Sequence, residues 1–457
     1  MKHFLEISPR DVLYFRDGRP LGGAADGNGA QWPLPSVLHS AVLSAFHRAF
    51  RDEEIRAYAK RHEHSRRPGK DRNFEQKKRT KAVFGGVKTL GPFPRRDGQI
   101  WFPVPADLVL DEGNGDAPAQ LLPTELPADA IGDLPPPLKY ALWKNVKPSK
   151  KELGQWISAE GLALYLSGKD KINELGAHLA KNDAFFDTEA RPGIGIDADT
   201  GTTRDGAFYL AEYLRLKPGV NMVASLDALS VGGNGTTDLW EKFLDKNADA
   251  AFIFGGQRGV VRADTTAKTL DLPASPAEFP GNRVKWTLLS PALFKGFPPK
   301  KSEEDAEKDE SDAKENKLKG AGWLPGFLDK DGNVMLKAVP ARDADESREA
   351  WRERCKTAPS ISARLVAARV GKAIPTSGWK INSDENAKNS GNDGGGAPKA
   401  TRLLVPAGSV YYFECESADD ARALASALHG RVKSDLLGEQ GFGLGVCSAW
   451  ELNPEKL

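Results

Sequence analysis

Cysteine is scarce in this chain, and that scarcity already narrows its chemistry. Cys355, Cys415 and Cys447 are the only three. No two of them stand as a CxxC pair, which argues against a structural zinc site, and so sparse a set fits a reducing cytoplasm. Long apolar runs are missing as well. No window approaches the ~18 residues that a membrane-spanning helix needs. The first residues, MKHFLEISPRDVLYF, interrupt their apolar stretch with charges and lack the apolar core of a signal peptide, so the expected location is cytoplasmic, with no membrane partner. Excess charge of one sign is lacking too: 64 Lys and Arg face 63 Asp and Glu, for a net charge of +1. That argues against wholesale coating of nucleic acid but leaves room for a local basic groove.

Catalytic signatures are equally absent. There is no GxSxG, HExxH, Walker loop or deaminase pattern. The glycines of GEQGFGLG lie between a helix and a strand, whereas a dinucleotide loop must follow a strand and open a helix. No catalytic residue, cofactor or metal is therefore expected. His62 and His64 sit in a charged stretch. His39 and His47 lie off the apolar stripe of the first helix and read as surface residues. His3 reads as structural and His429 as a helix end. Asp11 and Asp17 flank the apolar run ending the first strand and read as local ion pairs with Arg10, Arg16 and Arg19.

The 457 residues are too many for one ordinary core, and two domains are expected. Residues 4–15 read as a strand. The glycine-rich loop RDGRPLGGAADGNGAQWPLP follows. Ser36 is a suitable N-cap for a helix over 37–50, in which Leu38, Ala41, Val42, Ala45, Phe46 and Ala49 form one apolar stripe. Strand, loop and helix are the first half of a βαββαβ unit and equally the start of many other α/β folds. From Arg48 to Lys81, thirteen basic residues face six acidic ones, as on an exposed arm. Residues 100–104 read as an edge strand because of Pro103 and Pro105. GQWISAEGLALYLSG suggests a short helix, residues 191–216 suggest two extended segments around a turn, and AFIFGGQRGVVRAD suggests strand, glycine turn and strand.

A second half begins near Arg283 with VKWTLLSPALF, a buried strand. Two polar insertions interrupt it, near 299–319 and 382–400. The closing part reads as a strand over 410–415 and a helix over 418–428. Ser417 is its N-cap, Asp419 and Asp420 suit its positive end, and Gly430 closes it. A glycine turn and a strand over 446–452 follow, which completes a ferredoxin-like ending.

Several basic residues stand at glycine-bearing turns: Arg16, Arg19, Arg191, Arg204, Arg258, and Lys372 with Lys380. Arginine forks match phosphate, and glycine exposes bare N–H donors. Together they suit recognition of a sugar–phosphate strand. Trp32 and Trp379 could stack on unpaired bases or pack under their own loops. His39 could meet RNA beside the glycine loop. The turn around Gly441 and Gly443 could press its backbone against RNA or against a neighbouring strand.

ISPRDVLYFRDGRPLGG, WPLPSVLHSAVLSAF, FGGVKTLGPF, RPGIGIDADTGTTRDGAFYLAEYLRL, FGGQRGVVR, VKWTLLSPALF, SGWK, LLVPAGSVYYFE and the closing GFGLGVCSAW, in that order, resemble the family of subunit three of the Cmr complex, the type III-B CRISPR effector, in the RAMP superfamily. The resemblance implies an α+β fold of two ferredoxin-like (RRM-like) βαββαβ domains with long loop insertions, divided as 1–280 and 281–457. It implies a non-catalytic subunit that anchors the 5′ repeat-derived tag of the crRNA and bridges the large polymerase-palm subunit to an adjacent backbone RAMP subunit. It carries RNA contact to Arg16, Arg19, the loop around Ser36, Arg191, Arg258, Lys380 and the closing turn with Gly441 and Gly443. The C-terminal turn departs from superfamily relatives in lacking a long basic glycine loop. The competing reading is a metal-independent endoribonuclease that processes precursor crRNA, with His39 as its one loop-adjacent acid or base.

Overall fold

In the computed structural model the described residues are 2–15, 29–50, 84–127, 134–197, 199–232, 235–267, 269–295, 322–340, 346–377, 379–380, 397–398 and 401–455. Both polar insertions, the arm over 51–83 and the loop over 16–28 fall wholly or mostly outside them. The main elements, in chain order, are β1 (Lys2–Pro9), α1 (Pro35–Ala49), β2 (Lys88–Arg96), β3 (Gln99–Pro103), β4 (Trp156–Ser158), α2 (Ala159–Ser167), β5 (Leu179–Ala180), β6 (Phe186–Ile196), β7 (Thr203–Leu216), β8 (Val220–Asp227), α3 (Leu239–Lys246), β9 (Ala251–Ile253), β10 (Val260–Thr266), β11 (Arg283–Leu288), α4 (Arg348–Thr357), β12 (Ala363–Arg369), β13 (Val410–Cys415), α5 (Ala418–Leu428), β14 (Arg431–Val432) and β15 (Leu444–Ala449). The fold is a mixed α/β one, rich in sheet and poor in helix. No helix among the described residues is long and apolar enough to cross a membrane.

Two antiparallel sheets carry the chain. The first has eight strands in the order β9-β10-β1-β8-β2-β3-β4-β5, and the second has five in the order β12-β13-β11-β15-β14. β6 and β7 form a separate long hairpin.

Alternation along the strands decides what each sheet face buries. Leu5 and Ile7 of β1 join Met222 and Ala224 of β8 under α1 and α3, where Leu38, Val42, Phe46, Trp240 and Phe243 close the core. Fully burying each such side chain contributes about 1.5–3 kcal/mol. The opposite face offers Phe4, Val223, Phe93 and Phe102 to Leu162 and Tyr165 of α2. The same cluster takes in Leu289, Leu444 and Val446 from the second half. In β11, Val284, Trp286 and Leu288 join Leu424 and Leu428 of α5 in another cluster. Lys285 and Thr287 point the other way, toward the first half.

Four readings from sequence change. β1 ends at Pro9, and Leu13 and Tyr14 instead make isolated bridges to Leu214 and Gly256. The two apolar runs are therefore not one strand. α1 starts at Pro35, with Leu34 in the N-cap position and no side-chain cap, so Ser36 lies inside the first turn. Proline at the helix start already fixes φ and removes an N–H that would lack a partner. β3 is not an edge, because it pairs with β2 on one side and β4 on the other, and Pro103 sits only at its end. The last strand runs over Leu444–Ala449 rather than 446–452.

Candidate nucleic-acid interface

The base of the glycine-rich loop lies where three segments meet. The Phe15 N–H donates to the Gly29 carbonyl at 2.9 Å, so the residues entering and leaving the loop touch. Arg16 and Arg19, which the loop carries, lie outside the described residues. Tyr14 pairs with Gly256, Leu13 pairs with Leu214 of β7, and Gly29 packs on the Tyr14 ring. A Cβ at Gly29 would stand only 2.6 Å from the Glu212 carbonyl, so the close approach requires glycine there. The end of the first strand segment, the hairpin and the 254–259 turn thus converge on Tyr14.

The hairpin brings Glu189, Arg191, Tyr213 and Arg215 to one face through its register, in which Glu189 opposes Tyr213 and Arg191 opposes Ala211. Arg191 Nε donates to Glu189 Oε1 at 2.7 Å and its Nη2 to Asp11 Oδ2 at 3.2 Å. Arg215 Nε donates to Glu189 Oε2 at 2.6 Å and its Nη2 to Asp11 Oδ1 at 3.0 Å. Each carboxylate therefore bridges both guanidinium groups. The Arg191 hydrogen bond holds Asp11 below the usual carboxylate range, and the Arg215 hydrogen bond does the same first for Glu189. The Arg191 guanidinium also lies 5.2 Å from the Tyr213 ring centroid, and Tyr213 lies 5.3 Å from Tyr14. Asp11 is thus ion-paired with Arg191 and Arg215, partners distant in sequence that the sequence reading did not name.

Arg258 stands at the tip of the turn between β9 and β10. Its φ is +56° and that of Gln257 is +53°, both in the left-handed region. Non-glycine residues there cost about 1–2 kcal/mol each. Phe254 N–H donates to the Gly259 carbonyl at 2.8 Å and closes the turn, which presents Arg258 beside the Tyr14–Gly256 bridge.

The remaining positions gather elsewhere, around β2. Trp32 is half-buried. Its Nε1–H donates to the Pro92 carbonyl at 2.8 Å, and its ring stands edge-on to Trp156 at 5.3 Å. It packs against Pro92, Trp156 and Phe186. Ser36 is half-buried in the first turn of α1. His39 is only 5% exposed, which corrects its reading as a surface residue. Its Nδ1 lies 3.3 Å from Thr89 Oγ1, and that hydroxyl donates to the Gln440 carbonyl at 3.2 Å. Burial lowers the His39 pKa, while Glu439 acts in the opposite direction. The helical stripe drawn from apolar residues alone missed it because a histidine can be buried when its polar atoms find partners.

The closing turn presses its backbone against protein. Gly441 has φ +93°, and a Cβ there would stand 2.6 Å from the Thr89 carbonyl of β2. Gly443 has φ +78°, its N–H donates to the Pro291 carbonyl at 2.8 Å, and it packs on Ser434. Ser290 Oγ donates to the Gly441 carbonyl at 2.7 Å. Of the alternatives left open by sequence, the neighbouring strand is the one this turn meets. Lys380 lies in the two-residue strand Trp379–Lys380, paired with Ala397–Pro398 and apart from both gatherings in the sheet pairing.

Sequence reasoning missed a buried polar joint between the two halves. Asp107 is fully buried. It accepts hydrogen bonds from Tyr165 Oη at 2.8 Å, Tyr412 Oη at 2.7 Å and Gln120 Nε2 at 2.7 Å. Lys285 Nζ lies 3.8 Å from Asp107 and 3.9 Å from the Tyr165 ring centroid. Burial lowers the Lys285 pKa against the opposing pull of Asp107. The only sequence signal was a lysine inside the otherwise apolar run VKWTLL. A smaller grouping places ligand atoms of His3, Asp238 and Glu241 within 4.8 Å of one another. The His3 Nε2 to Asp238 Oδ2 hydrogen bond of 2.7 Å and the capping of α3 by Asp238 account for it.

The fold and these clusters define a sheet-rich α/β protein whose two antiparallel sheets meet across a shared core and whose arginine-bearing hairpin and turn gather beside a glycine-loop stem. The chain belongs to the family described as CRISPR-associated protein (Cas_Cmr3), which matches residues 5–450. No curated protein sequence matches it. Among solved structures it is similar to a chain of "Type III-B Cmr-beta bound to cognate target RNA", at 14% identity and a TM-score of 0.43, covering 98% of each chain. It is also similar to a chain of the "Csm3-Csm4 subcomplex in the type III-A CRISPR-Cas interference complex", at 10% identity and a TM-score of 0.37, covering 90% of this chain and 92% of that one.

Proposed function

We propose that this chain is a non-catalytic crRNA-binding subunit of a type III-B CRISPR Cmr effector complex, which anchors the 5′ repeat-derived tag. The face that grips the strand is built from the stem of the glycine-rich loop, the root of the β6–β7 hairpin and the turn carrying Arg258. The observation that carries the reading is the convergence of these three segments on Tyr14 in a member of the Cas_Cmr3 family. Arginine forks and bare N–H groups fix phosphates there. The large polymerase-palm subunit and an adjacent backbone RAMP subunit are the protein partners, and the assembly works in the cytoplasm. The histidine on which a ribonuclease would rest is withdrawn from solvent, which favours a holding role over a cutting one.

The same reading takes each sheet as a ferredoxin-like unit. In the first, β1 and β8 are central and β10 and β2 flank them, with α1 after the first strand and α3 before the last. In the second, β11 and β13 are central and β15 and β12 flank them, with α5 before the last strand. These strand orders and helix positions support reading each sheet as a βαββαβ unit. The second unit departs from it where its first helix belongs. There α4 has no buried residue among its described side chains, and Ala292, Phe294, Leu328 and Ile361 fill the space. The division falls between Thr266 and Arg283, as 1–280 and 281–457.

The test is a salt series of RNA affinity. Replacing Arg16 and Arg19 together with alanine weakens binding of tag RNA, with the slope of log affinity against log salt shallower by about 0.7 for each phosphate no longer neutralised. Unchanged affinity across the series rejects the proposed face.

A further inference from the structure

We infer that Asp11 is a built-in competitor of the RNA phosphate at the hairpin root, and that Glu189 is the residue that aims the two arginines. This deepens the RNA-binding reading and rests on it. Arg191 and Arg215 are not held like ordinary surface cations. They close a ring with Asp11 and Glu189 whose formal charges cancel. A strand lying on this face therefore does not meet two unpaired arginines. Its phosphate must take the place of a carboxylate already there.

The two carboxylates are not equivalent. Glu189 sits on β6, two residues from Arg191 and opposite Tyr213, bonds both Nε atoms at 2.7 Å and 2.6 Å, and also lies 2.6 Å from Arg191 Nη2. Its side chain is 33% exposed. Asp11 comes from a different segment, reaches only the Nη2 atoms at 3.2 Å and 3.0 Å, and is 56% exposed. The Nη2 positions that Asp11 occupies are the ones an incoming phosphate would take. Displacing Asp11 leaves the guanidinium planes fixed by Glu189 and, for Arg191, by the Tyr213 ring. Displacing Glu189 would free both forks. An anion exchanges for the longer-bonded, more exposed carboxylate, and the shorter-bonded one keeps the geometry. Both acids are held below the usual carboxylate range, so neither releases its arginines by taking up a proton near neutral pH.

The experiment measures fluorescence anisotropy of a labelled single-stranded RNA carrying the repeat-derived 5′ tag, titrated with the full-length chain and its variants across a salt series. Asp11→Ala and Glu189→Ala each remove one negative charge, so electrostatics alone moves both the same way. The inference requires opposite signs. Asp11→Ala tightens binding by about two- to fivefold, the scale of an exposed ion pair. Its salt dependence also steepens by up to about one, because no carboxylate is left to take up a cation. Glu189→Ala weakens binding. Adding Arg191→Ala to Asp11→Ala cancels the gain. Wild-type binding with Asp11→Ala equal or weaker, or with both single variants tighter, overturns the inference and leaves the RNA-binding reading standing. RNA bound by neither the wild type nor Asp11→Ala removes both.

Discussion

Asp107 has no solvent access and carries the joint between the two halves with three neutral donors and one buried ammonium. Asp107→Ala leaves Lys285 buried without its counter-charge and is expected to cost about 3–5 kcal/mol. Lys285→Met costs less, because Asp107 keeps its tyrosine and glutamine donors. Urea unfolding followed by tryptophan fluorescence orders the two variants, and the reverse order would contradict this account of the joint. Histidines supply a pH dependence. Burial lowers the pKa of His39 and of His429 below the ordinary 6.5. The unfolded chain therefore binds more protons below pH 6.5, and stability falls as the pH drops through that value toward the folded-state pKa. His39→Gln flattens that fall between neutral pH and mild acid in thermal melts. These residues were poorly legible in the sequence. Asp107 finds Tyr165 58 positions away and Tyr412 305 positions away. No local pattern announces such a meeting. Trp32 carries the same lesson, since its hydrogen-bond partner Pro92 lies 60 positions away.

Elements were most readable where chain-local forces decide them. β13 and α5 occupy the stretches read from sequence, and Ser417 Oγ accepts from the Asp420 N–H as an N-cap should. Ser417→Ala is expected to cost about 1 kcal/mol in equilibrium unfolding. The paired extended segments over 191–216 and the glycine turn before β10 were legible for the same reason. β1 and β3 were misjudged because pairing partners, not propensity, set their ends and their place in the sheet. The closing turn shows the limit most clearly. Its glycines were visible, but what they approach was not. Gly441→Ala combines a left-handed φ with a clash against the Thr89 carbonyl and is expected to cost about 2 kcal/mol or more. The loss should appear as a lower melting temperature whether or not RNA is present.

At the scale of the whole molecule, one cluster draws Phe4, Phe102 and Val223 from the first half and Leu289, Leu444 and Val446 from the second. Shared apolar surface couples the unfolding of the two halves. Calorimetry of the full chain should show one transition, and a fragment comprising 281–457 alone should aggregate or lack a cooperative melt. Two well-separated transitions would show that the joint couples them weakly. The strand orders were not legible in the sequence, because long-range pairing leaves little trace in composition. The joint and the proposed grip also answer to different solvents. Lys285 and Asp107 sit where dissolved ions do not reach, whereas the Arg191 and Arg215 ring stands in the ionic atmosphere. A concentrated brine wash of an immobilised assembly should therefore strip nucleic acid from this subunit and leave it folded, ready to be reloaded on return to dilute buffer.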